Sequence, residues 1–442
     1  MIKRFIRRVL GLATESMVRV PRGKHGLSRD SLSPAASKVC TVLREAGFQA
    51  YVVGGAVRDL LLNIEPKDFD VATDARPEQV KPLFRRAIII GPRFRLVHVM
   101  MGQDTVEVST FRAADPETSE KDEHGRVLRD NVFGTQEEDA RRRDFTVNAL
   151  YYDPATEEVV DFHGGLADLK KRVMRVIGEP ETRYREDPVR MLRAVRLGAK
   201  LGLTLDAATR EPIREMAPLM ERVPPARLFD EMLKLLLSGH ASACLRQLRA
   251  VGLHQGLLPL LDVILEQPLG ERFVTLALAQ TDQRVLDERP VSPAFLFAAL
   301  LWHEVLAASK ARQARGERQI PALEAAMDEV LDTQCAKLAI TRKLTATMRE
   351  VWAMQPRFEN RSGNRAYRLL EAPRFRMAYD FLALRAASGE VPAELEAWWR
   401  AFQSADADTR KAMLLPDTGP RKRRRRRRRK GGAPAAPEPA PE

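Results

Sequence analysis

The stretch that most constrains the fold and the chemistry of this chain is Tyr51–Thr73, which reads YVVGGAVRDLLLNIEPKDFDVAT. A short apolar run leads into Gly54 and Gly55, and a helical pattern follows the two glycines. Glycine lets a phosphate approach the backbone closely, and a helix N-terminus attracts an anion. The stretch therefore predicts a strand, a phosphate-binding turn and a helix, in that order.

Two carboxylates, Asp68 and Asp70, stand at the start of the next β-rich run. Side chains alternate along a strand, so both are expected on one face, roughly 7 Å apart. Proteins hold Mg²⁺ with one or two carboxylates together with substrate phosphates. A carboxylate pair beside a phosphate-binding turn favours phosphoryl or nucleotidyl transfer, and a solvated DxD turn is the structural alternative.

Two further acidic residues are candidates for completing this site. Glu107 lies among β-branched residues, where its side chain faces either water or a bound metal. Asp144 follows three arginines and precedes a predicted helix, Phe145–Leu150. It is a candidate helix cap, a candidate catalytic carboxylate and a candidate ribose ligand. The residues alone leave both choices open.

A third acidic segment, RYREDPVRMLR, begins a predicted helix at Asp187. Asp187 and Arg190 lie one turn apart on the same helix face. One interpretation is an intrahelical ion pair, which contributes only a few tenths of a kcal/mol. The other is a donor–acceptor edge, formed with Glu186, that faces a nucleobase. Spacing alone favours the ion pair.

The net charge of +13 is concentrated at the two ends of the chain. Residues 421–430 read RKRRRRRRRK, and residues 1–40 contain nine Lys or Arg against two acidic residues. This layout is typical of an enzyme with polyanion-binding arms. A basic run that acts only on solubility is the alternative for the tail. The basic, amphipathic N-terminal segment is interpreted as a simple extension or as a weak contact for membrane or RNA.

The remaining composition excludes several classes of protein. No stretch reaches the roughly 18 apolar residues that a membrane span requires, so no stable span is expected. The three cysteines are Cys40, Cys244 and Cys335, and no CxxC or His partner stands at metal-binding spacing. We expect three buried thiols in a reducing compartment.

Four motifs follow one another in a recognisable order: GGAVRDLLL with KDFDVAT, then RRRDFTVNALYYD, then GGLADL, then REDPVRMLRAVR. Together they resemble the class II tRNA nucleotidyltransferase/bacterial poly(A) polymerase family. The stretch Ile89–Val99 is similar to the signature of its poly(A) polymerase branch, a glycine, two basic residues, Phe, then Leu and His. Here Pro92 stands at the first basic position. The Arg-rich tail is also similar to that branch, and CCA-adding enzymes usually lack it.

The order of strand and helix patterns predicts an α+β chain in which a small mixed sheet, with helices on one side, precedes an all-helical region. The resemblance identifies the sheet as a nucleotidyltransferase head and the helical region as a neck and a body. A long mobile loop is expected over residues 113–140. The predicted regions are a basic extension (1–32), the head (33–162), the neck with its nucleobase-selecting segment (163–265), an RNA-binding body (266–405) and a disordered Arg-rich tail (406–442).

The activity that the resemblance implies is template-independent addition of AMP from ATP to RNA 3′ ends, with release of pyrophosphate and promotion of RNA turnover. CCA addition to tRNA is the alternative, and an RNA-binding adaptor with an inactive catalytic domain is a third reading. The implied partners are ATP, single-stranded RNA 3′ ends, RNA-degradation machinery and an RNA chaperone. The implied location is the cytoplasm, with loose membrane association through the N-terminal segment.

The resemblance also implies roles for individual residues. Asp68 and Asp70 would hold two Mg²⁺, with Mn²⁺ as an alternative and with Glu107 or Asp144 completing the set. The nucleotide-binding residues that it implies are Gly54, Gly55 and Arg58 for the triphosphate, Arg143 and Asp144 for the ribose, and Glu186, Asp187 and Arg190 for the base. Gly164, Gly165 and Asp168 would form a flexible link between head and neck.

Overall fold

A computed structural model of the chain describes residues 17–91, 95–113, 120–121, 127–129, 132–254 and 268–416. The basic run at 421–430, the first 16 residues and positions 92–94 of the Ile89–Val99 signature lie outside these ranges. Within the described residues, a sheet domain precedes a helical region that extends to residue 413. The predicted α+β fold class is confirmed.

The head is built on an eight-stranded mixed sheet with the order β1-β10-β9-β2-β3-β6-β5-β4. Its strands are β1 Val18–Pro21, β2 Ala50–Val53, β3 Asp70–Thr73, β4 Ala87–Ile90, β5 Leu96–Met101, β6 Asp104–Thr110, β9 Leu150–Asp153 and β10 Glu158–Asp161. Strands β3 and β6 pair in parallel, and the other neighbours in this sheet pair antiparallel. Two small sheets pair β7 (Glu120–Lys121) with β8 (Val127–Arg129) and β11 (Val173–Met174) with β12 (Thr204–Leu205).

The sheet buries both of its faces, because apolar residues occupy successive positions along its central strands. Val52, Val71 and Val108 belong to the large core, together with the apolar stripe of helix Pro34–Glu45. The intervening positions belong to a smaller aromatic cluster, which contains Tyr51, Val53, Ala72, Phe111, Ala140 and Tyr151. Ala140 comes from helix Gln136–Arg142, so helices cover both faces and not one face as expected.

The first long helix of the head begins at a capping residue. Ser33 caps helix Pro34–Glu45 by accepting a hydrogen bond from the Ala36 backbone N–H, with Pro34 at the first helical position. The other helices of the head and its junction with the neck are Arg22–His25, Gly55–Leu61, Pro77–Val80, Gln136–Arg142, Gly165–Lys170 and Pro180–Glu186. Those of the neck are Val189–Leu201, Ala207–Arg210, Ile213–Met216, Pro225–Leu236 and Ala241–Val251. Those of the body are Pro268–Leu286, Pro293–Ala314, Gln319–Lys337, Arg342–Met354, Gly363–Leu370, Phe375–Ser388, Ala393–Ser404 and Ala407–Met413.

Several local predictions need correction. The predicted loop at 113–140 contains the β7–β8 pair and helix Gln136–Arg142, whose Thr135 and Glu138 form a capping box. The apolar pattern over 365–384 predicts one continuous helix, but the structure has two, because the chain turns at residues 371–374. Strand β1 lies inside the predicted N-terminal extension, yet it pairs with β10 of the head sheet. Cys335 is exposed, whereas Cys40 and Cys244 are buried as expected.

Helix Pro293–Ala314 is long and apolar enough to cross a membrane by length and composition, contrary to our expectation that no stretch would be. However, 61% of its apolar window is buried inside the protein. Trp302 and Phe297 of this helix are fully buried and pack within the body. Its burial is that of the central helix of a helical core.

Candidate active site

The sheet brings two of the predicted carboxylates side by side. Asp70 is the first residue of β3, and the parallel register of β3 with β6 places it opposite Glu107. Both residues lie on the sheet face that carries the smaller aromatic cluster, because Asp70 also stands opposite Val53. Asp68 lies two residues before the strand begins, and not within it as expected.

The charge around Asp70 fits a divalent cation. Burial, together with the charges of Glu107 and Asp68, raises the pKa of Asp70 to about 6, and the charge of Arg143 opposes this rise. Within the described residues, Asp68 and Asp70 make no hydrogen bond or ion pair, whereas Glu107 lies 3.6 Å (Oε2) from His98 Nε2. A concentration of carboxylates that repel one another is stabilised by a bound cation.

The carboxylates do not form a complete metal cage by themselves. Among the described residues, no group of three or more His, Cys, Asp or Glu side chains is placed to hold a metal ion. Mg²⁺ typically keeps one or two carboxylates and takes its other ligands from substrate phosphates and water. The arrangement therefore fits a metal that binds together with a phosphorylated substrate.

The turn after β2 brings the backbone close to a cationic side chain. Gly54 has a φ of 77° and precedes helix Gly55–Leu61. A Cβ atom on Gly54 would lie 3.2 Å from Nη1 of Arg143. Arg143 is fixed by Tyr151, to whose hydroxyl it donates at 3.1 Å, and by Asp139, to which it donates at 3.1 Å. Because Gly54 has no side chain, the turn stays open and the Arg143 guanidinium can lie beside it in a fixed orientation.

Arg58, a predicted triphosphate ligand, is 5% exposed and already engaged. Its guanidinium pairs with Asp59 at 2.6 Å, and its Nη1 donates to Oδ1 of Asn148 at 2.5 Å. Asn148 in turn donates to Oδ1 of Asp144 at 2.9 Å. These contacts join the helix after the glycine turn to the segment that carries Asp144.

Asp144 lies at the junction of head and neck, where its charge is neutralised. Its Oδ2 is 2.6 Å from a guanidinium nitrogen of Arg193, and its Oδ1 accepts from the Phe145 backbone N–H. Burial would raise the pKa of Asp144, but Arg193 and these hydrogen bonds hold it below its usual value. The predicted helix Phe145–Leu150 is a short 3-10 turn, Thr146–Asn148, followed by a strand. Binding of a ribose by Asp144 stays a prediction, and the register favours Glu107 as the third carboxylate.

The predicted base edge differs from its expected geometry. Helix Pro180–Glu186 ends before Asp187, and the next helix begins at Val189. Consequently Asp187 does not pair with Arg190. Oδ2 of Asp187 lies 2.6 Å from Arg227, and Arg190 donates to Oε2 of Glu186 at 3.1 Å.

Arg183 connects this base edge to the head. One of its nitrogens donates to the backbone carbonyls of Arg142 at 2.8 Å and Arg143 at 2.7 Å. Another donates to Glu186 at 2.7 Å, and Arg190 donates to the Arg183 carbonyl at 2.7 Å. The segment that holds Arg143 and the segment that holds Glu186 and Arg190 are therefore fixed to each other.

The arginines at this junction form a concentration of positive charge. Burial, together with the charges of Arg112, Arg183 and Arg190, lowers the pKa of Arg142 to about 10. Burial and the Arg190 charge also lower the pKa of Arg183. Like charges held this close repel one another, and a bound polyanion would relieve that repulsion. A triphosphate is such a polyanion.

The glycines between head and neck serve close packing. A Cβ atom on Gly165 would lie 2.2 Å from the Thr146 carbonyl oxygen, so only glycine fits there. The buried Asp168 carboxylate accepts from the Thr146 hydroxyl at 2.7 Å and from Arg175 at 3.2 Å. The structure thus shows a packed junction where a flexible link was expected.

A cavity of about 1040 Å³ adjoins Asp68. It is lined by Lys67, Asp68, Phe69, the first residues of helix Pro34–Glu45 and the β5–β6 turn. Gly54 and Arg143 do not line it. Asp68 therefore borders a space separate from the arginine-rich junction.

Sequence reasoning missed five side chains that orient the site: Asp139, Asn148, Tyr151, Arg183 and Arg227. Three of them lie inside or beside the quoted motif RRRDFTVNALYYD, where Asn148 and Tyr151 are polar positions within a mainly apolar run. That pattern is a usable signal of buried polar partners. Arg183 and Arg227 carried no such signal, because their partners are 40 or 41 residues away.

Comparison with known proteins bears on this arrangement directly. Residues 50–175 match the family described as the poly A polymerase head domain. Residues 202–265 match the probable RNA and SrmB-binding site of polymerase A, and residues 315–431 match its arginine-rich C-terminus. Poly(A) polymerase I of Salmonella typhi is 46% identical over 428 residues, which cover 93% of this chain and 92% of that protein. The chain belongs to the poly(A) polymerase family.

CCA-adding enzymes are similar over less of the chain in sequence. The CCA-adding enzyme of Lactobacillus helveticus is 38% identical over 206 residues, which are 47% of this chain and 50% of that protein. The crystal structure of the Bacillus stearothermophilus CCA-adding enzyme in complex with CTP has a TM-score of 0.58 at 27% identity, covering 84% of this chain and 82% of that one. The poly(A) polymerase family shares its architecture with CCA-adding enzymes, and similarity along nearly the whole chain lies with poly(A) polymerases.

Proposed function

We propose that this chain extends RNA 3′ ends with AMP from ATP, without a template, and releases pyrophosphate. The observation that carries the proposal is the placement of repelling carboxylates near a concentration of arginines at the end of β2. Such a site provides a place for a cation and a place for a polyanion next to each other. The full-length similarity to poly(A) polymerase I of Salmonella typhi supports ATP and RNA as the substrates.

Asp68, Asp70 and Glu107 are the residues that would hold the metal. We propose Mg²⁺, two ions in the reacting complex, with Mn²⁺ as an alternative. When bound, the metal supplies positive charge to the entering and leaving oxygens of the displacement. The family as a whole supports a divalent ion, and the identity of the ion is part of the proposal.

The chain's own residues position ATP at its two ends. The Gly54 turn, Arg143 and the neighbouring arginines bind the triphosphate. Arg190, Glu186 and Asp187 present donors and acceptors to the adenine edge. The RNA 3′ oxygen forms a bond to the α-phosphorus, and the bond from that phosphorus to the pyrophosphate oxygen breaks. Arg183 fixes the segment that carries Arg143 to the segment that carries Glu186. A bound nucleotide would therefore be held at its triphosphate and at its base.

The cavity beside Asp68 would admit the RNA 3′ end. Tailing of this kind would take part in RNA processing and promote RNA turnover, with RNA-degradation machinery and an RNA chaperone as partners. The basic run at 421–430 would hold RNA phosphates without sequence preference, since each phosphate neutralised in single-stranded RNA adds about 0.7 to the salt slope. The proposed location is the cytoplasm, with loose membrane contact through the N-terminal basic segment.

The deciding experiment incubates the purified full-length protein with a generic RNA and each nucleoside triphosphate in turn. We expect long homopolymeric tails with ATP alone. Products that stop after CCA on a truncated tRNA would instead support a CCA-adding enzyme. The double variant Asp68→Ala/Asp70→Ala should lose tailing, and Asp332→Ala, an exposed acidic position in the body, is its matched control. Undiminished tailing by the double variant would overturn the catalytic assignment.

A further inference from the structure

A second cavity lies in the body, outside the residues 202–265 that match the RNA-binding family. It has a volume of about 490 Å³ and is enclosed by helices Pro268–Leu286 and Phe375–Ser388 and by the first turn of Pro293–Ala314. We propose that this body cavity binds one nucleotide of single-stranded RNA upstream of the reacting 3′ end. The proposal rests on the proposed function for its RNA substrate.

The size and the apolar lining of the body cavity suit a base. Cavities that hold small molecules typically enclose about 300–1,000 Å³ and are mainly apolar with a few polar groups. Phe295, Met377 and Leu384 contribute its apolar surface. Phe295 is held edge-on against Phe381, with ring centroids 5.8 Å apart. A flat nucleobase stacks on such side chains whatever its sequence.

The rim of the body cavity is cationic. Arg284, Arg374 and Arg376 line it, all three are exposed, and Arg374 also pairs with Glu350 at 3.0 Å. Arg284 donates twice to the Pro290 carbonyl, at 3.1 and 2.7 Å, so that its guanidinium is held in place. The first turn of helix Pro293–Ala314 adds the positive end of a 22-residue helix dipole. This charge is complementary to an RNA phosphate.

Asp380 fixes which end of the nucleotide enters. It lines the cavity, is only partly exposed and pairs with Arg376 at 3.1 Å. A carboxylate repels a phosphate but accepts hydrogen bonds from base amines or ribose hydroxyls. The base and ribose therefore face Asp380 and the apolar floor, and the phosphate lies at the arginine rim. An acidic peptide would satisfy the rim alone, and so RNA is the better match to the whole cavity.

Crosslinking tests the site without requiring catalysis. Full-length protein is irradiated with a 4-thiouridine-labelled single-stranded RNA, and the crosslinked peptides are identified by mass spectrometry. We expect crosslinks in the peptides that contain residues 277–284 or 373–384. Absence of crosslinks there, with crosslinks found elsewhere on the chain, would overturn the proposal. A protein that crosslinks at these peptides but adds no AMP would retain the subsite and refute the proposed function.

Filling the body cavity provides a second test. Ala383→Trp places a large ring in the cavity, and Ala401→Trp, at an exposed alanine of the body helix Ala393–Ser404 that does not line the cavity, is its matched control. We expect Ala383→Trp to weaken binding of an oligo(A) RNA about 5- to 10-fold, the lower part of the range for one stacked base. The rate of AMP addition to a saturating three-nucleotide primer should be unchanged. Equal RNA affinity for the two tryptophan variants would overturn the proposal.

Removing rim charge keeps the test valid if Ala383→Trp fails to fold. Arg376→Gln is compared with Arg368→Gln, an exposed arginine of the neighbouring helix Gly363–Leu370. We expect Arg376→Gln to weaken RNA binding and to flatten its salt dependence, and Arg368→Gln to do so less. An acidic peptide that competes with the wild type for binding, combined with unchanged RNA affinity in Arg376→Gln, would assign the cavity to a protein partner instead.

Discussion

The carboxylates of the sheet and those of the head–neck junction differ in what neutralises them. Asp70 and Glu107 lie opposite each other on two neighbouring strands, and burial together with the charge of Glu107 raises the pKa of Asp70. Asp144 and Asp187, in contrast, each pair with an arginine from the neck at 2.6 Å. The chain therefore supplies its own cations to the carboxylates of the junction, and it supplies none to Asp70, at the proposed metal site.

The largest effect is expected from neutralising Asp70, which lies opposite Glu107. Asp70→Asn should reduce AMP incorporation at least about 100-fold, because removing one preorganised charge at a reacting centre typically costs that much. The free energy of unfolding should stay the same or rise, because the charged form of Asp70 is destabilised by burial and by Glu107. Tailing assays and urea unfolding measure the two quantities. A strong loss of stability in Asp70→Asn would show that the Asp70 carboxylate stabilises the fold, contrary to this prediction.

For the ion pair of Asp144 with Arg193, we expect a loss of stability on mutation. Arg193→Ala leaves the largely buried Asp144 carboxylate without its cation and should lower the free energy of unfolding by about 2 kcal/mol, a value reduced because the Arg193 side chain is 35% exposed. Urea unfolding of Arg193→Ala, Asp144→Asn and the double variant forms a thermodynamic cycle. Additive effects in that cycle would show that the pair is not coupled.

The next prediction concerns Arg227, which neutralises Asp187 in the predicted base edge. Arg227→Ala frees Asp187, so we expect roughly a tenfold loss in the preference for ATP over CTP, about the value of one charged hydrogen bond. The free energy of unfolding should change little, because the Arg227 side chain is 48% exposed. Steady-state kcat/KM for each nucleotide measures the preference. Arg227→Lys should restore part of it, and an unaltered preference in Arg227→Ala would remove Arg227 from nucleotide selection.

The smallest effect concerns a neutralised carboxylate in the body. Glu390 accepts from Arg385 and from Trp302, so His303, 3.6 Å away, is not needed as its cation. Burial lowers the pKa of His303 below its ordinary value of 6.5. The folded protein thus binds fewer protons than the unfolded chain in this range, and its stability should fall as the pH drops below about 6.5. Urea unfolding at about pH 7.5 and about pH 5.5 should show a smaller pH effect in His303→Gln than in the wild type. Equal pH effects would contradict a neutral His303.

The sequence predicted elements whose signals are local. The strand, the glycine turn and the helix predicted from Tyr51–Thr73 are observed as β2, Gly54 and helix Gly55–Leu61. Glu107 was a candidate because it is acidic among β-branched residues, and the strand register sets it opposite Asp70. The motifs identified the family, which the full-length comparison confirms.

What the sequence could not predict depends on contacts between distant segments. An ion pair between Asp187 and Arg190 was favoured because both residues were assigned to one helix. That helix begins at Val189, and the Asp187 carboxylate pairs with Arg227 instead. The close packing of Gly165 could not be predicted either, because it is packed against Thr146, a residue of a different segment of the chain. Local spacing does not contain such tertiary partners.

The parallel pairing of β3 with β6 has a consequence for how the protein acquires its chemistry. Asp70 and Glu107 are separated by the whole antiparallel meander of β4, β5 and β6, which can form from local contacts. Parallel pairing closes a long loop and is an intrinsically slow event in folding. The two carboxylates therefore meet only after the meander has docked beside β3. A nascent or partly folded head has no assembled site, so adenylylation can begin only when its topology is complete.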